Sequence, residues 1–190
     1  MSEEDLKKIE AEKPAQSKLK MIVKEAVSWV IVVVAAVILA RVITRYVIIK
    51  AEVPTSSMEN TILVDDRLVG LRIAYIFSGP ERGDIVIFNH LETGDRYVKR
   101  VIGLPGDTIE IKQGVLYING EIYEEDYLKD EMRKEDKGPY VVPEDCYFML
   151  GDNRNNSSDS RKWANPYISI DDIIGKVLFR YSPSFEWLDN

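Results

Sequence analysis

Thr108-Ile109-Glu110-Ile111-Lys112-Gln113-Gly114-Val115-Leu116-Tyr117-Ile118-Asn119-Gly120-Glu121-Ile122-Tyr123 decides the fold of this chain. Residues 108–112 alternate apolar and polar, the two-residue period of a half-buried strand. Gln113-Gly114 turns the chain and 115–118 carries it back. Asn119-Gly120 is then a strong two-residue hairpin signal into 121–123. Upstream, Asp84-Ile85-Val86-Ile87-Phe88 reads as a strand apolar on both faces. Residues 97–102 form another, with Tyr97, Lys99 and Val101 on one face if pairing is regular. Downstream, 147–150 and 176–181 are further strands. Residues 124–138 are dense in charge and poor in apolar side chains, so an exposed excursion is expected there. Helix-period patterns are scarce after residue 52. The expectation is a mainly β fold, an antiparallel sheet that is coiled or barrel-like, with no internal repeat.

The N-terminal region has a different texture. Residues 26–40 are 15 positions without a charge, interrupted only by Ser28. A bilayer core needs about 20 apolar residues. Arg41 can snorkel from a helix end, so a transmembrane helix over 22–44 is expected, with Trp29 near one interface. The charged lead is too long for a cleavable signal peptide and no small-residue cleavage site follows the run; a buried core helix is the other alternative. Residues 1–21 show mixed charge and no apolar period, and are expected to be a disordered or frayed tail. Lys18, Lys20 and Lys24 on one side balance Arg41, Arg45 and Lys50 on the other, so the flanks do not set an orientation.

The 190 residues carry a formal charge of −7, unevenly spread. Residues 1–50 hold nine Lys/Arg against six Asp/Glu, whereas 51–190 hold 16 against 26. So acidic a C-terminal part argues against nucleic acid as a partner, because phosphate binding needs a basic surface. Cys146 is the only cysteine, which excludes an internal disulfide and a cysteine-based metal site. It is expected to be a small buried hydrophobe.

Three segments can carry chemistry. Val53-Pro54-Thr55-Ser56-Ser57-Met58 lies where a strand gives way to a turn, a place that a scissile carbonyl can reach. A serine is a poor nucleophile until a base takes its proton. The chain has one histidine, His90, so a histidine-dependent triad rests on that residue alone. A lysine can serve instead when burial depresses its pKa. Lys99, between apolar neighbours on a predicted strand, suits that role. The Ser57 N–H and the Thr55 hydroxyl can both point at a developing oxyanion. The third segment, residues 151–161, is an Asx-rich loop in which Asp159 and Arg161 can pair and a serine hydroxyl can orient the lysine amine. Asp152 and Asp159 lack the number and spacing expected of metal ligands, and no metal or other cofactor is expected.

In order, behind one apolar helix, these segments resemble the type I signal peptidases. The resemblance covers roughly 26–183. It rests on Pro54-Thr55-Ser56-Ser57-Met58, Gly83-Asp84-Ile85-Val86-Ile87-Phe88, residues 97–107 and residues 151–161. By position it implies Ser57 as nucleophile, Lys99 as general base and Thr55 as an oxyanion donor. It implies Ser157 as support for the lysine, and Asp159 with Arg161 as a structural ion pair. It also implies a single-pass membrane protein with a cytoplasmic tail over 1–21, a helix over 22–44 and an extracytoplasmic catalytic domain over 45–190. The implied substrates are signal peptides of exported preproteins, cut after small residues at −1 and −3. The partners are then those preproteins and the lipid bilayer. The chain departs from the family pattern at Asn60, where proline is typical, and at Asn155, where aspartate is common. Altered turn rigidity and loop pairing are expected there.

Substrate residues before the cut are expected to pair with strand edges near Val53 and Tyr97. Small pockets lined by Val53, Met58, Ile62 and Tyr97 would suit alanine. Two other readings compete. A self-cleaving Ser/Lys repressor-type protease would need a DNA-binding N-terminus in place of the apolar run. A non-catalytic assembly or chaperone protein at the membrane would be expected to have lost the serine or the lysine.

Overall fold

A computed structural model describes the backbone of residues 3–188 and the side chains of 20–188. Helix α1 (Glu3–Tyr46) is followed by β1 (Ile48–Glu52), a 3-10 turn (Ser56–Met58), β2 (Arg67–Leu71), β3 (Ile85–Asn89) and β4 (Arg96–Gly103). Then come β5 (Thr108–Lys112), β6 (Val115–Ile118), β7 (Glu121–Ile122), β8 (Lys137–Val141) and β9 (Cys146–Leu150). A 3-10 turn (Arg154–Asn156), β10 (Tyr167–Ser169), a third 3-10 turn (Ile170–Asp172), β11 (Ile173–Ser182) and β12 (Glu186–Trp187) complete the chain.

Two compact units divide at residues 45 and 46. The first is α1, whose stretch Lys20–Tyr46 is apolar and long enough to cross a membrane. Residues 3–19, expected to lack regular structure, are helical. Their Glu, Lys, Ala, Leu and Gln residues are strong helix formers, and extending an existing helix avoids the cost of nucleation. Met1 and Ser2 lie outside the described residues.

The second unit is mainly β, with every described strand pair antiparallel. The larger sheet runs β1-β2-β11-β3-β4-β9-β10, with β12 added beside β11. Strand β11 pairs with β3 through Ile173–Lys176 and with β2 from Lys176 to Ser182, shifting register three times. Such bulges bend a strand and increase its twist, so the sheet curls. The smaller sheet runs β7-β6-β5-β8. Its hairpin turns follow the sequence closely: Gln113 and Gly114 have φ of 52° and 81°, and Asn119 and Gly120 have 54° and 85°. Positive φ at both central residues is the turn geometry that matches strand twist.

Alternation along β3 places Ile85 and Ile87 in one apolar cluster with Val53, Met58, Ile62 and Leu68, and Val86 and Phe88 in another with Val101 and Met149. A third cluster joins Ile109, Ile111, Leu116 and Ile118 of the smaller sheet to Phe148 and Leu150. Residues 124–138 are mostly exposed, as their charge predicts, but the excursion is tied down along its length. Met132 is buried in this third cluster, and the segment runs into β8, which pairs with β5. Most of its remaining anchors are hydrogen bonds and ion pairs, which leave no periodic apolar signature. Cys146 is half-buried beside the same cluster, not enclosed.

Candidate active site

Pro54 and Thr55 end the extended course of β1, and the 3-10 turn Ser56–Met58 follows at once. Glu59 N–H donates to Ser56 O at 3.1 Å and Ile62 N–H to Met58 O at 2.8 Å, closing the turn. Met58 is pulled into the core beneath it, 1% exposed. Ser57 is thereby presented at the floor of a cleft, 8% exposed. Strand β4 brings Lys99 to the same place. Its Nζ donates to Ser57 Oγ at 2.6 Å and to Val98 O at 3.0 Å.

Lys99 is 4% exposed. Burial lowers its pKa from 10.5 to about 8, against the opposing pull of Asp159 and Asp152. Loss of water penalises the ammonium, not the neutral amine. A neutral amine in contact with a serine hydroxyl can take its proton as the oxygen attacks a carbonyl. Thr55 Oγ1 lies 3.3 Å from Ser57 Oγ on the exposed side of the turn. Its hydroxyl can turn toward an oxygen that gains charge there.

The loop after β9 closes on the Ser56–Met58 turn from the other side. Asn153 N–H donates to Ser57 O at 3.1 Å, Asn153 Nδ2 to Ser56 O at 3.0 Å, and Asn156 Nδ2 to Ser56 Oγ at 2.9 Å. Gly151 makes this approach possible: a Cβ at that position would collide with both Ser157 Oγ and the Ser57 carbonyl. Asp159 and Arg161 form a buried bidentate ion pair, each bond 2.8 Å long. Burial pushes the Asp159 carboxyl up, but Arg161 outweighs it and holds the pKa below the ordinary value. Ser157 Oγ is buried and makes no hydrogen bond of normal geometry, though it stands close enough to Asp159 to add to that effect.

Beneath the dyad, Arg100 Nε and Nη2 donate to Asp152 Oδ1 and Oδ2 at 2.9 and 2.7 Å. Thr61 Oγ1 adds a 2.6 Å bond to Asp152 Oδ2. The reading of sequence missed this group, along with a buried pair between Arg154 and Glu125. The adjacency of Arg100 to Lys99, and of Asp152 to the loop, was the available signal. His90 takes no part in this cluster. It is buried against Tyr97, with ring centres 4.9 Å apart and planes 12° apart.

The cleft has a volume of about 820 Å³. Val53, Met58 and Tyr97 line it, as expected, together with Ile87, Val98 and Ser158. Ile62 does not. It is 0% exposed in the apolar cluster beneath the turn, because its N–H bond to Met58 O tucks it inward. Both long walls are strand edges. β1 pairs only with β2, and β4 pairs with β9 only from Arg100 onward. Among the described residues, the outer edges of β1 and of the first half of β4 therefore face the cleft without a neighbouring strand.

Residues 26–182 match the family described as Signal peptidase, peptidase S26. This chain belongs to the signal peptidase family. It is 41% identical over 156 residues to a probable signal peptidase I-2 of Synechocystis, covering 79% of this chain and 70% of that one. It is 34% identical over 185 residues to signal peptidase IB of Staphylococcus aureus, covering 88% and 95%. A solved signal peptidase I from Enterococcus faecalis is 35% identical, with a TM-score of 0.45 over 51% of this chain and 95% of that one. The protein is thus a serine protease of the signal peptidase I type, and its one described apolar helix fits a single-pass anchor.

Proposed function

We propose that this peptidase removes signal peptides from exported preproteins by a Ser57–Lys99 dyad, cutting after small residues at −1 and −3. The observation that carries the reading is the 2.6 Å contact between Ser57 Oγ and the Nζ of a lysine that is 4% exposed. Neutral Lys99 takes the Ser57 proton as Oγ attacks the scissile carbonyl. The Thr55 hydroxyl and the Ser57 N–H stabilise the oxyanion. Lys99 then protonates the leaving amine, accepts a proton from the water that attacks the acyl-enzyme, and returns it to Ser57. Ser157, whose hydroxyl is buried and unpaired, steadies the amine as the ammonium forms. Asp159 and Arg161 hold that serine's loop in shape.

Residues before the cut enter as an extended strand between the edges of β1 and β4. Val53, Met58 and Tyr97 wall the cleft beside Ser57, which leaves room for alanine and excludes bulk. In this reading 22–44 spans the lipid bilayer, 1–21 is cytoplasmic and 45–190 works on the extracytoplasmic side. The net −10 charge of residues 51–190 is unsuited to nucleic acid.

The test is cleavage of a preprotein with an Ala-X-Ala site in detergent or liposomes. Wild type is expected to cut after the second alanine, and folded Ser57→Ala and Lys99→Ala to be inert. Cleavage by either variant overturns the dyad, and no cleavage by folded wild type overturns the activity.

A further inference from the structure

Residues 124–136 link β7 to β8 and touch both halves of the active site. At the nucleophile turn, Asn60 Nδ2 donates to Tyr127 O at 3.0 Å, and Lys129 pairs with Glu59. At the loop, Asn155 Oδ1 accepts from Arg133 N–H and its Nδ2 donates to Glu131 O, both at 2.9 Å. Between these ends, Glu125 pairs with Arg154, which is fully buried, and Glu135 with Arg161 at 2.9 Å. The Tyr127 ring lies 3.9 Å beneath the Arg100 guanidinium.

Asn60 and Asn155 thus bond to this segment from opposite sides. Asn60 has φ of 95°, a conformation proline cannot adopt because its ring fixes φ near −65°. The turn after Ser57 therefore cannot take its stiffness from a proline ring in this geometry. It takes it from a side-chain bond to a neighbouring strand of chain. An aspartate at 155 would keep the acceptor for Arg133 N–H but lose the donor to Glu131 O.

We propose that residues 124–136 are a brace that positions the Ser57 turn against the Ser157 loop, with Asn60 and Asn155 as its two clips. The inference rests on the dyad reading for its catalytic consequence, but the brace itself is a property of the fold. Asn60 and Asn155 are positioning residues: neither lines the cleft. Releasing either clip loosens the whole segment, so the two losses overlap.

The test uses the full-length protein in detergent as wild type, Asn60→Gly, Asn155→Ala and the double variant. Glycine keeps the positive φ at 60 while removing the bond. Below the onset of melting, each single variant is expected to lower kcat about tenfold with KM within about twofold, since misplacement acts on the reacting geometry. The double variant is expected to be little worse than either single one. The same loss is expected at pH 10, where Lys99 is neutral, which separates misplacement from altered titration. Unchanged kcat in both single variants overturns the proposal, as does a double variant whose losses multiply. If Asn155→Ala does not fold, Asn155→Leu, which keeps the bulk and removes both bonds, replaces it with the same expectation. Hydrogen exchange at the amides of 56–59 gives a second reading independent of cleavage. Faster exchange there in the Asn155 variant, whose altered side chain bonds only to the brace, supports the proposal, and unchanged exchange overturns it. Failure of the wild type to cut would count against the dyad and leave the exchange result to decide the brace.

Discussion

Lys99 and Arg100 are consecutive cations on one strand, yet they meet opposite electrostatic fates. Arg100 is 1% exposed and finds a bidentate carboxylate in Asp152, whereas Lys99 is 4% exposed and finds a hydroxyl, a carbonyl and the Tyr97 ring but no paired carboxylate. One is a paired charge and the other is a charge that burial discourages. That contrast separates a structural cation from a base, and it sets the first prediction. Lys99 has a pKa of about 8, so the neutral amine is the minor form in acid. The cleavage rate is expected to rise about tenfold per pH unit up to about pH 8 and to level off above it. A rate profile between pH 6 and 10 checks this, and a flat profile contradicts Lys99 as the base.

The same depressed pKa makes Lys99 a cost to stability. Below pH 8 the folded protein holds an ammonium that its surroundings disfavour. The unfolded state binds more protons between about pH 8 and 10.5, so stability rises with pH across that window. A shift of this size corresponds to roughly 3 kcal/mol, of which the bond to Ser57 returns a part. Inactive Lys99→Met is expected to melt higher than wild type at pH 7, with the difference shrinking above pH 10. Melting curves in one detergent at both pH values decide it.

For the buried pair below, singles and doubles should differ. Arg100→Met or Asp152→Leu alone strands a buried charge and is expected to cost about 3–5 kcal/mol. The double variant is expected to regain much of that in stability. Denaturation of the three variants measures the coupling, and additive losses would contradict it.

Gly151→Ala introduces a methyl group where Ser157 Oγ and the Ser57 carbonyl leave no room. The nucleophile turn and the loop must then separate, and activity is expected to fall about 100-fold. Thr55→Val keeps the shape of the cleft rim and removes the hydroxyl proposed to donate to the oxyanion. A kcat loss of about 100-fold is expected, with much of the activity kept in Thr55→Ser. Steady-state cleavage rates measure both.

Much of the fold was legible. The alternation of 108–118, the Asn119-Gly120 turn and the two-faced apolar run 84–88 each produced the strand expected, because local period and core agree there. The strand that gives way to the turn at Val53 was expected, but not where it begins: Ile48 and Ile49 continue the apolar run of the helix, so no change of composition marks the start of β1. The exposure of 124–138 was legible but its ties were not, because Glu125, Lys129 and Glu135 are charges held by partners far along the chain. Ile62 was assigned to a pocket on residue type, when a backbone bond to Met58 turns it into the core. Ser57 and Lys99 were placed by motif order; their 2.6 Å contact depends on sheet curvature, which no residue pattern displays.

Only ten residues lie between Tyr46, the end of α1, and Ser57. Even fully extended, that length of chain spans no more than about 40 Å. With α1 in a bilayer, the nucleophile is leashed to the lipid, and the leash acts as a ruler. On the proposed reading, an Ala-X-Ala sequence held farther than that from the lipid lies out of range however well it would fit the cleft. Such an enzyme chooses its bond by altitude above the membrane as well as by side chain, so shortening or lengthening the leash would change which proteins it spares.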